Sequence, residues 1–228
     1  MFKAYASGSS GNFYEVNDGE TRIAIECGLP FKKIQALCGH QTAQYAAFLV
    51  SHEHQDHAKA VPKLVERGIP VYLSEGTAKA LKVDGHSVHV IPPLLVQKIG
   101  SFIVKPFPTE HDAREPFGFL LLSAATGKKL LFATDTKCIR YRFKGIHEIA
   151  IECNYSEEML GEADLPDVVK KRITRSHMSL ETVKEFLRQT DLRETERIHL
   201  LHLSANNSRA DFFQQEIQRL TGKEVYVC

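Results

Sequence analysis

The chain has 228 residues, enough for one large hydrophobic core or two modest ones. Its cations and anions cancel to a net charge of +1, which excludes a global field that would draw in a polyanion, so any grip on one has to be local. No stretch is apolar for the length of a spanning helix, and five cysteines with no C-x-x-C pair do not complete a disulfide framework. Reduced thiols, a cytoplasmic location, no membrane association and no obligate protein partner are therefore expected.

Met1-Phe2-Lys3 runs directly into a strand-like segment, so no secretory leader is expected. Gly8-Ser9-Ser10-Gly11-Asn12 follows as a turn. Its glycines and hydroxyls also suit an anion cradle. Strand-like segments at 14–16 and 21–25 flank the hairpin turn Asn17-Asp18-Gly19-Glu20. Residues 31–38 have helical spacing. Ala46-Ala47-Phe48-Leu49-Val50 reads as a buried strand, and a helix is expected from Ala58 through 60–67. Residues 70–73 read as a strand and 87–122 as a β-rich stretch. Gly127-Lys128-Lys129 turns into a strand that ends at Asp135. A strand at 146–152, a helix at 179–190 with Ser179 as N-cap, a last central strand at 198–203 and a last helix at 209–221 complete the pattern. Without a linker or low-complexity run, one domain over 1–228 is expected, with similar halves at about 1–125 and 126–228.

Between the strand at 46–50 and the following helix lies His52-Glu53-His54-Gln55-Asp56-His57. In extended backbone His52 and His54 point to the same side and can share one ion. Asp56 and His57, where the chain turns into the helix, can face a second. Donors this dense are costly unless metal or solvent satisfies them. The bland alternative is a solvated polar loop. Histidine with carboxylate suits zinc, manganese or iron, and the sequence does not select among them. Two ions about 3.5–4 Å apart can hold a bridging hydroxide as nucleophile.

H-x-H-x-D-H after a strand resembles the signature of the metallo-β-lactamase fold superfamily. The resemblance implies an α/β fold, a four-layer αββα sandwich, with further ligands at later strand ends. His111 after Phe107-Pro108-Thr109-Glu110, Asp135 in Ala133-Thr134-Asp135-Thr136, and His202 in Ile198-His199-Leu200-Leu201-His202 match in order and spacing. It then implies His52, His54 and His111 on one metal and Asp56, His57 and His202 on the other, with Asp135 between them.

A narrower resemblance, to the YycJ (WalJ)-like subgroup, rests on five segments. These are Gly8-Ser9-Ser10-Gly11-Asn12, His111-Asp112-Ala113-Arg114-Glu115-Pro116-Phe117-Gly118, Ala133-Thr134-Asp135-Thr136, Ser176-His177-Met178-Ser179 and His202-Leu203-Ser204-Ala205-Asn206-Asn207. It implies a dimetal-dependent phosphodiesterase acting on DNA as a 5′-to-3′ exonuclease, with Asp56, Asp135 and His177 catalytic. Other readings are a small-molecule ester or thioester hydrolase (glyoxalase II-like, a lactonase or a cyclic phosphodiesterase) and a non-catalytic scaffold that keeps its metal.

His177 is expected as a phosphate contact or general acid, against a bland capping-region histidine. Ser9, Ser10, Asn12, Ser204, Asn206 and Asn207 are expected to bind phosphate, against plain turn or helix-capping roles. Glu26 stands where the superfamily usually has Asp, and it is expected to orient the metal loop through hydrogen bonds. Asp112 is expected to support a ligand histidine. Tyr155 replaces the histidine of the subgroup's E-x-N-H-D segment. Cys27 and Cys153 read as buried, inert thiols, and His40, His86, His89, His147 and His199 as surface or packing histidines. Two basic runs, Lys170-Lys171-Arg172 with Arg175, and Arg140, Arg142 and Lys144 around Tyr141 and Phe143, are solvated faces or backbone contacts.

Overall fold

The structure, a computed structural model, describes residues 1–228. They form two compact units, Met1–Pro108 with Ala113–Gly127, and Thr109–Asp112 with Lys128–Cys228.

The first unit opens with an antiparallel run, β1 (Phe2–Ala6), β2 (Phe13–Asn17) and β3 (Arg22–Ile25). Three parallel additions follow, β4 (Ala47–Leu49), β5 (Val71–Leu73) and β6 (Val88–Val90), in spatial order β1-β2-β3-β4-β5-β6. The crossovers carry α1 (Phe31–Leu37), α2 (Gln55–Ala58), α3 (Val61–Glu66) and α4 (Glu75–Leu81). Every residue of β4 is buried, as helix-covered parallel strands require. Phe13, Tyr45 and Phe48 pack ring on ring beneath Ile34 and Leu64 in one core. An antiparallel meander, β7 (Gln97–Ile99), β8 (Phe102–Pro108) and β9 (Phe117–Ser123), completes the unit. Asp18 pins it to the first hairpin. One of its carboxylate oxygens accepts from the hydroxyls of Ser101 at 2.6 Å and Ser123 at 2.7 Å.

The second unit lays β10 (Lys129–Ala133), β11 (Glu148–Glu152), β12 (Arg197–Leu201) and β13 (Glu224–Val227) side by side, all parallel. Its helices are α5 (Glu157–Glu162), α6 (Asp167–Ser176), α7 (Leu180–Arg188) and α8 (Ala210–Thr221). Ser179 caps α7 as expected, its hydroxyl accepting from the Thr182 amide at 3.1 Å. No helix is long and apolar enough to cross a membrane.

Four elements escape the sequence pattern. α4 and α5 span two turns or fewer, too short for a period to show, though Ser74 and Ser156 cap them. α6 is mostly polar, and β13 is an edge strand beyond the last central strand. The helix expected from Ala58 is α3, starting at Val61, and it is preceded by the separate single turn α2, which starts at Gln55 with His54 at its N-cap. This places Asp56 and His57 on that turn.

Three non-glycine residues just past strand ends take positive φ: Glu26 (62°) after β3, Asp135 (44°) after β10 and His202 (52°) after β12. Such backbone costs roughly 1–3 kcal/mol, and it persists only where the surroundings dictate it.

Candidate metal centre

In the first unit, the H-x-H-x-D-H loop leaves the carboxyl end of β4 and is clasped by two other turns. The Asn12 amide donates to the Asp56 carbonyl at 2.8 Å, Cys27 to His57 at 2.8 Å, and Ala60 to Cys27 at 2.9 Å. Gly28 sits so close that an added Cβ would lie 1.6 Å from the Asp56 oxygen. Only glycine permits that approach.

On this loop the Ser51 hydroxyl lies 2.8 Å from His52 Nδ1, and His52 Nε2 lies 3.1 Å from His54 Nδ1. Two imidazole nitrogens ligating one tetrahedral zinc ion at about 2.0–2.1 Å would stand about 3.3 Å apart, so this pair fits a shared cation. His57 is fully buried, with Nε2 3.4 Å from Asp56 Oδ2 and Nδ1 3.6 Å from Glu26 Oε1. That Glu26 oxygen is buried without a hydrogen bond, while Oε2 accepts from the Ser51 amide at 3.4 Å. A carboxylate behind a ring nitrogen is the usual way to orient a ligating histidine. The longer Glu26 side chain reaches that position from left-handed backbone.

In the second unit, His111 lies 2.9 Å from the Ser176 carbonyl through Nδ1, which puts its proton there and the lone pair on Nε2. Nε2 is 3.7 Å from Asp135 Oδ2. Burial holds this imidazole below its usual pKa despite the Asp135 charge, favouring the neutral form that ligation needs. The Asp135 carboxylate accepts from the Thr134 hydroxyl at 2.9 Å, and His202 Nδ1 lies 3.4 Å from it. The Asn154 amide donates to the His202 carbonyl at 2.8 Å and so holds that strained turn.

Glu152 ends β11 with 0% exposure. Its Oε1 is 2.6 Å from His177 Nδ1 and 3.4 Å from His202 Nδ1, and its Oε2 accepts from the amides of Thr136 at 2.9 Å and Met178 at 3.2 Å. Burial works against charge on both partners. The attraction between them outweighs it, lowering the Glu152 pKa and raising that of His177. Asp135, Glu152, His177 and His202 bring one donor atom each to within 4.8 Å of the others. Nitrogen and carboxylate donors packed this tightly fit a divalent cation.

A Beta-lactamase superfamily domain matches residues 21–203. The chain belongs to the metallo-β-lactamase superfamily. It is 30% identical over 224 residues to the exodeoxyribonuclease WalJ of Streptococcus pneumoniae, covering 91% of this chain and 82% of that one. It is 29% identical over 237 residues to the exodeoxyribonuclease YycJ of Bacillus anthracis, covering 96% and 88%. Among solved structures, the metallo-β-lactamase fold protein YhfI from Bacillus subtilis superposes with a TM-score of 0.71 at 15% identity, over 100% of this chain and 95% of that one. The α/β class and metallo-β-lactamase fold expected from the sequence hold, as does the likeness to YycJ and WalJ. The chain is a metal-dependent hydrolase.

Against this superfamily frame, the residues expected to bind phosphate divide. Ser9 and Ser10 are exposed on the turn closed by the Gly11 amide on the Gly8 carbonyl at 3.0 Å. Asn12 does not join them. It is 0% exposed, its Oδ1 accepts from the Gly8 amide and the Tyr14 hydroxyl, and its Nδ2 donates to the Asp56 carbonyl at 3.0 Å. It braces the metal loop instead of facing substrate. Ser204 is partly exposed and Asn206 exposed, but Asn207 is buried with its Nδ2 on the Ser204 hydroxyl at 3.3 Å. Burial of Asn207, at 4% exposure, keeps the amide from a phosphate at the surface. None of them caps α8, whose N-cap is Arg209. Asp112 lies 3.4 Å from His111 Nδ1 with its carboxylate 55% exposed, so the nearer Ser176 carbonyl is the principal support.

Tyr155 is buried in a bridge to Ser179, and burial raises its hydroxyl to about 12, a packing role. Cys27 and Cys153 are buried and their thiols pushed well up, as inert thiols are. His199 packs on Tyr226 at 5.3 Å. Glu152 and Asn154 stand in the sequence only as members of the segment that matches the subgroup's E-x-N-H-D, with no site role expected of them. The signal was a carboxylate and an amide at the carboxyl end of an otherwise apolar parallel strand.

Proposed function

We propose that this hydrolase cleaves DNA phosphodiesters as a 5′-to-3′ exonuclease. In this reading two divalent ions (zinc, manganese or iron) are held by His52, His54 and His111 and by Asp56, His57 and His202, with Asp135 between them. Bound there, the ions would activate water and neutralise charge growing on the phosphoryl oxygens. The other steps fall to the chain. Ser176 keeps His111 in the tautomer that presents the Nε2 lone pair, and Glu26 places a carboxylate beside the His57 ring. Exposed Ser9, Ser10, Ser204 and Asn206 offer donors to phosphate oxygens. His177 keeps its Nδ1 proton on Glu152 and presents Nε2–H to the leaving 3′ oxygen of the terminal nucleotide.

The observation that carries the reading is the 2.6 Å approach of His177 to Glu152. An alkoxide is a poor leaving group without a proton, and a histidine whose pKa a buried carboxylate raises is a general acid for it. A thioester, whose thiolate departs unaided, needs no such group. The similarity to proteins named exodeoxyribonuclease supports DNA as the substrate, and five unpaired cysteines agree with the cytoplasm.

The test is digestion of end-labelled DNA with manganese or zinc, comparing 5′-phosphate with 5′-hydroxyl ends and Asp135→Ala with the parent chain. Stepwise loss from the 5′ end, absent in the variant, is expected. Intact DNA from protein holding two ions, together with turnover of small esters, would overturn it.

A further inference from the structure

We propose that residues 137–144 and the groove they form along α7 are a guide for the substrate strand, holding its phosphate backbone away from the bond being cut. This rests on the nucleic-acid reading above. It adds a surface that no metal or proton-transfer step requires.

Exposure alternates along the segment. Arg140, Arg142 and Lys144 are exposed, while Tyr141 and Phe143 between them are half-buried, with ring centroids 6.4 Å apart. Three cations at alternate positions of one segment offer several charges to the phosphates of a single strand.

The adjoining groove, about 400 Å³, is lined by Ile139, Arg140, Arg142, Thr182, Phe186 and Gln189, with Glu185 on its α7 side. The groove itself holds Arg140 and Arg142, and the cations along the segment face the carboxylates of Glu110, Glu185 and, beside Lys144, Asp191. Glu110 pairs with Arg140, and Glu185 already holds the Gln189 side chain and lies 3.6 Å from Arg188. The Arg140–Glu110 pair and the Arg142–Gln189 contact are both exposed. Such exposed contacts contribute little, so a phosphate can displace them. A guanidinium presents a fork of donors matched to phosphate.

Both ends are fixed. At its start the Thr136 hydroxyl donates to the Cys138 carbonyl at 2.8 Å and accepts from the Glu110 amide at 2.9 Å. The Lys137 amide bonds the Glu110 carbonyl at 2.8 Å. Those contacts tie the segment to the loops carrying Asp135 and His111. At its end Lys129 Nζ donates to the Lys144 carbonyl at 3.2 Å. An ordered cationic row rooted beside Asp135 is what a strand entering the site would meet.

The test compares the parent chain, metal-loaded, with the triple variant Arg140→Gln/Arg142→Gln/Lys144→Gln. The substrates are a 5′-phosphorylated 30-mer and a dinucleotide, over a potassium chloride series. The ratio of kcat/KM for the long over the short substrate should fall at least ~10-fold. The salt slope of log kcat/KM on the 30-mer should flatten by about 2, from three contacts at roughly 0.7 each on single strands. A control, Lys32→Gln/Lys33→Gln, removes charge from the exposed face of α1 and should leave both unchanged.

An unchanged ratio and slope in the triple variant, or equal losses in the control, would overturn the guide while leaving the exonuclease reading standing. Failure of the parent chain to cut either DNA removes both. Should the triple variant fold poorly, Arg142→Gln alone, whose side chain is exposed, should give about one third of the slope change.

Discussion

Glu152 spends both carboxylate oxygens on fixing other groups, one on His177 at 2.6 Å and the other on the amides of Thr136 and Met178. These contacts set the turn after Asp135 and the approach to α7 together. If His177 is the proton donor and Glu152 its positioning residue, the two act as one unit. Glu152→Gln and His177→Ala should each lower the single-turnover rate on DNA by ~10²-fold or more with metal content retained. The double variant should be little worse than either single one. Losses that multiply in full, or a Glu152→Gln protein stripped of metal, would make Glu152 a ligand and not a support.

The clasp around the metal loop makes a second prediction. In Gly28→Ala the new Cβ meets the Asp56 carbonyl, and no rotamer relieves a backbone clash. Either α2 or the turn after β3 must move, so metal affinity should fall at least ~10-fold. Asn12→Ala removes a buried amide that holds the Asp56 carbonyl. It should cost about 1–3 kcal/mol in urea unfolding, with a smaller loss of metal. Equal metal affinity in Gly28→Ala and the parent chain would show that the clasp does not set ligand geometry.

How far the sequence discloses this depends on the kind of signal each element carries. β4 and β10 are apolar runs ending in donor-rich loops, and the amphipathic period and serine cap of α7 are visible, so all three are legible. α4 and α5 are too short to show a period, and α6 has too few apolar residues to mark a face. At the site, clustered histidines announce themselves by density. Glu152 does not, because one carboxylate ending a strand looks the same in sequence whether it meets solvent or His177. Asn12 misleads for a related reason. A G-S-S-G-N turn offers three polar side chains, and only burial separates the two exposed serines from the asparagine turned inward.

Asp18 predicts a pH effect far from the donor clusters. Burial works to raise its pKa, but the hydroxyls of Ser101 and Ser123 and the amides of Thr21 and Glu20 outweigh it and bring it to about 2. A carboxyl depressed when folded stabilises above its unfolded pKa of about 3.9 and loses that as pH falls towards the folded value. The contribution at neutral pH is about 2 kcal/mol, an upper figure because the side chain is partly exposed. Asp18→Asn should therefore destabilise by 1–2 kcal/mol at pH 7, and its stability should fall less than that of the parent chain between pH 4 and 2. Parallel stability curves for the two proteins would rule the carboxylate out as the pin.

Asp135 makes the last prediction, one of opposite signs. It sits in left-handed backbone at φ 44°, near the buried carboxylate of Glu152, whose pKa its charge tends to raise. Without a cation these charges oppose each other, offset only in part by the Thr134 hydroxyl and the histidines around Asp135. Asparagine tolerates left-handed backbone at least as well as aspartate, and its Oδ1 can still accept from the Thr134 hydroxyl. Asp135→Asn should therefore raise the unfolding free energy of chelator-treated protein by about 1 kcal/mol while lowering metal affinity and abolishing hydrolysis. Added metal should reverse the order, because binding stabilises only the state that holds it, in proportion to the logarithm of saturation. Thermal unfolding of both proteins with chelator and with excess manganese reads all of this at once. A variant less stable than the parent chain in chelator would show that Asp135 is held by its neighbours, without a cation being needed to offset its charge.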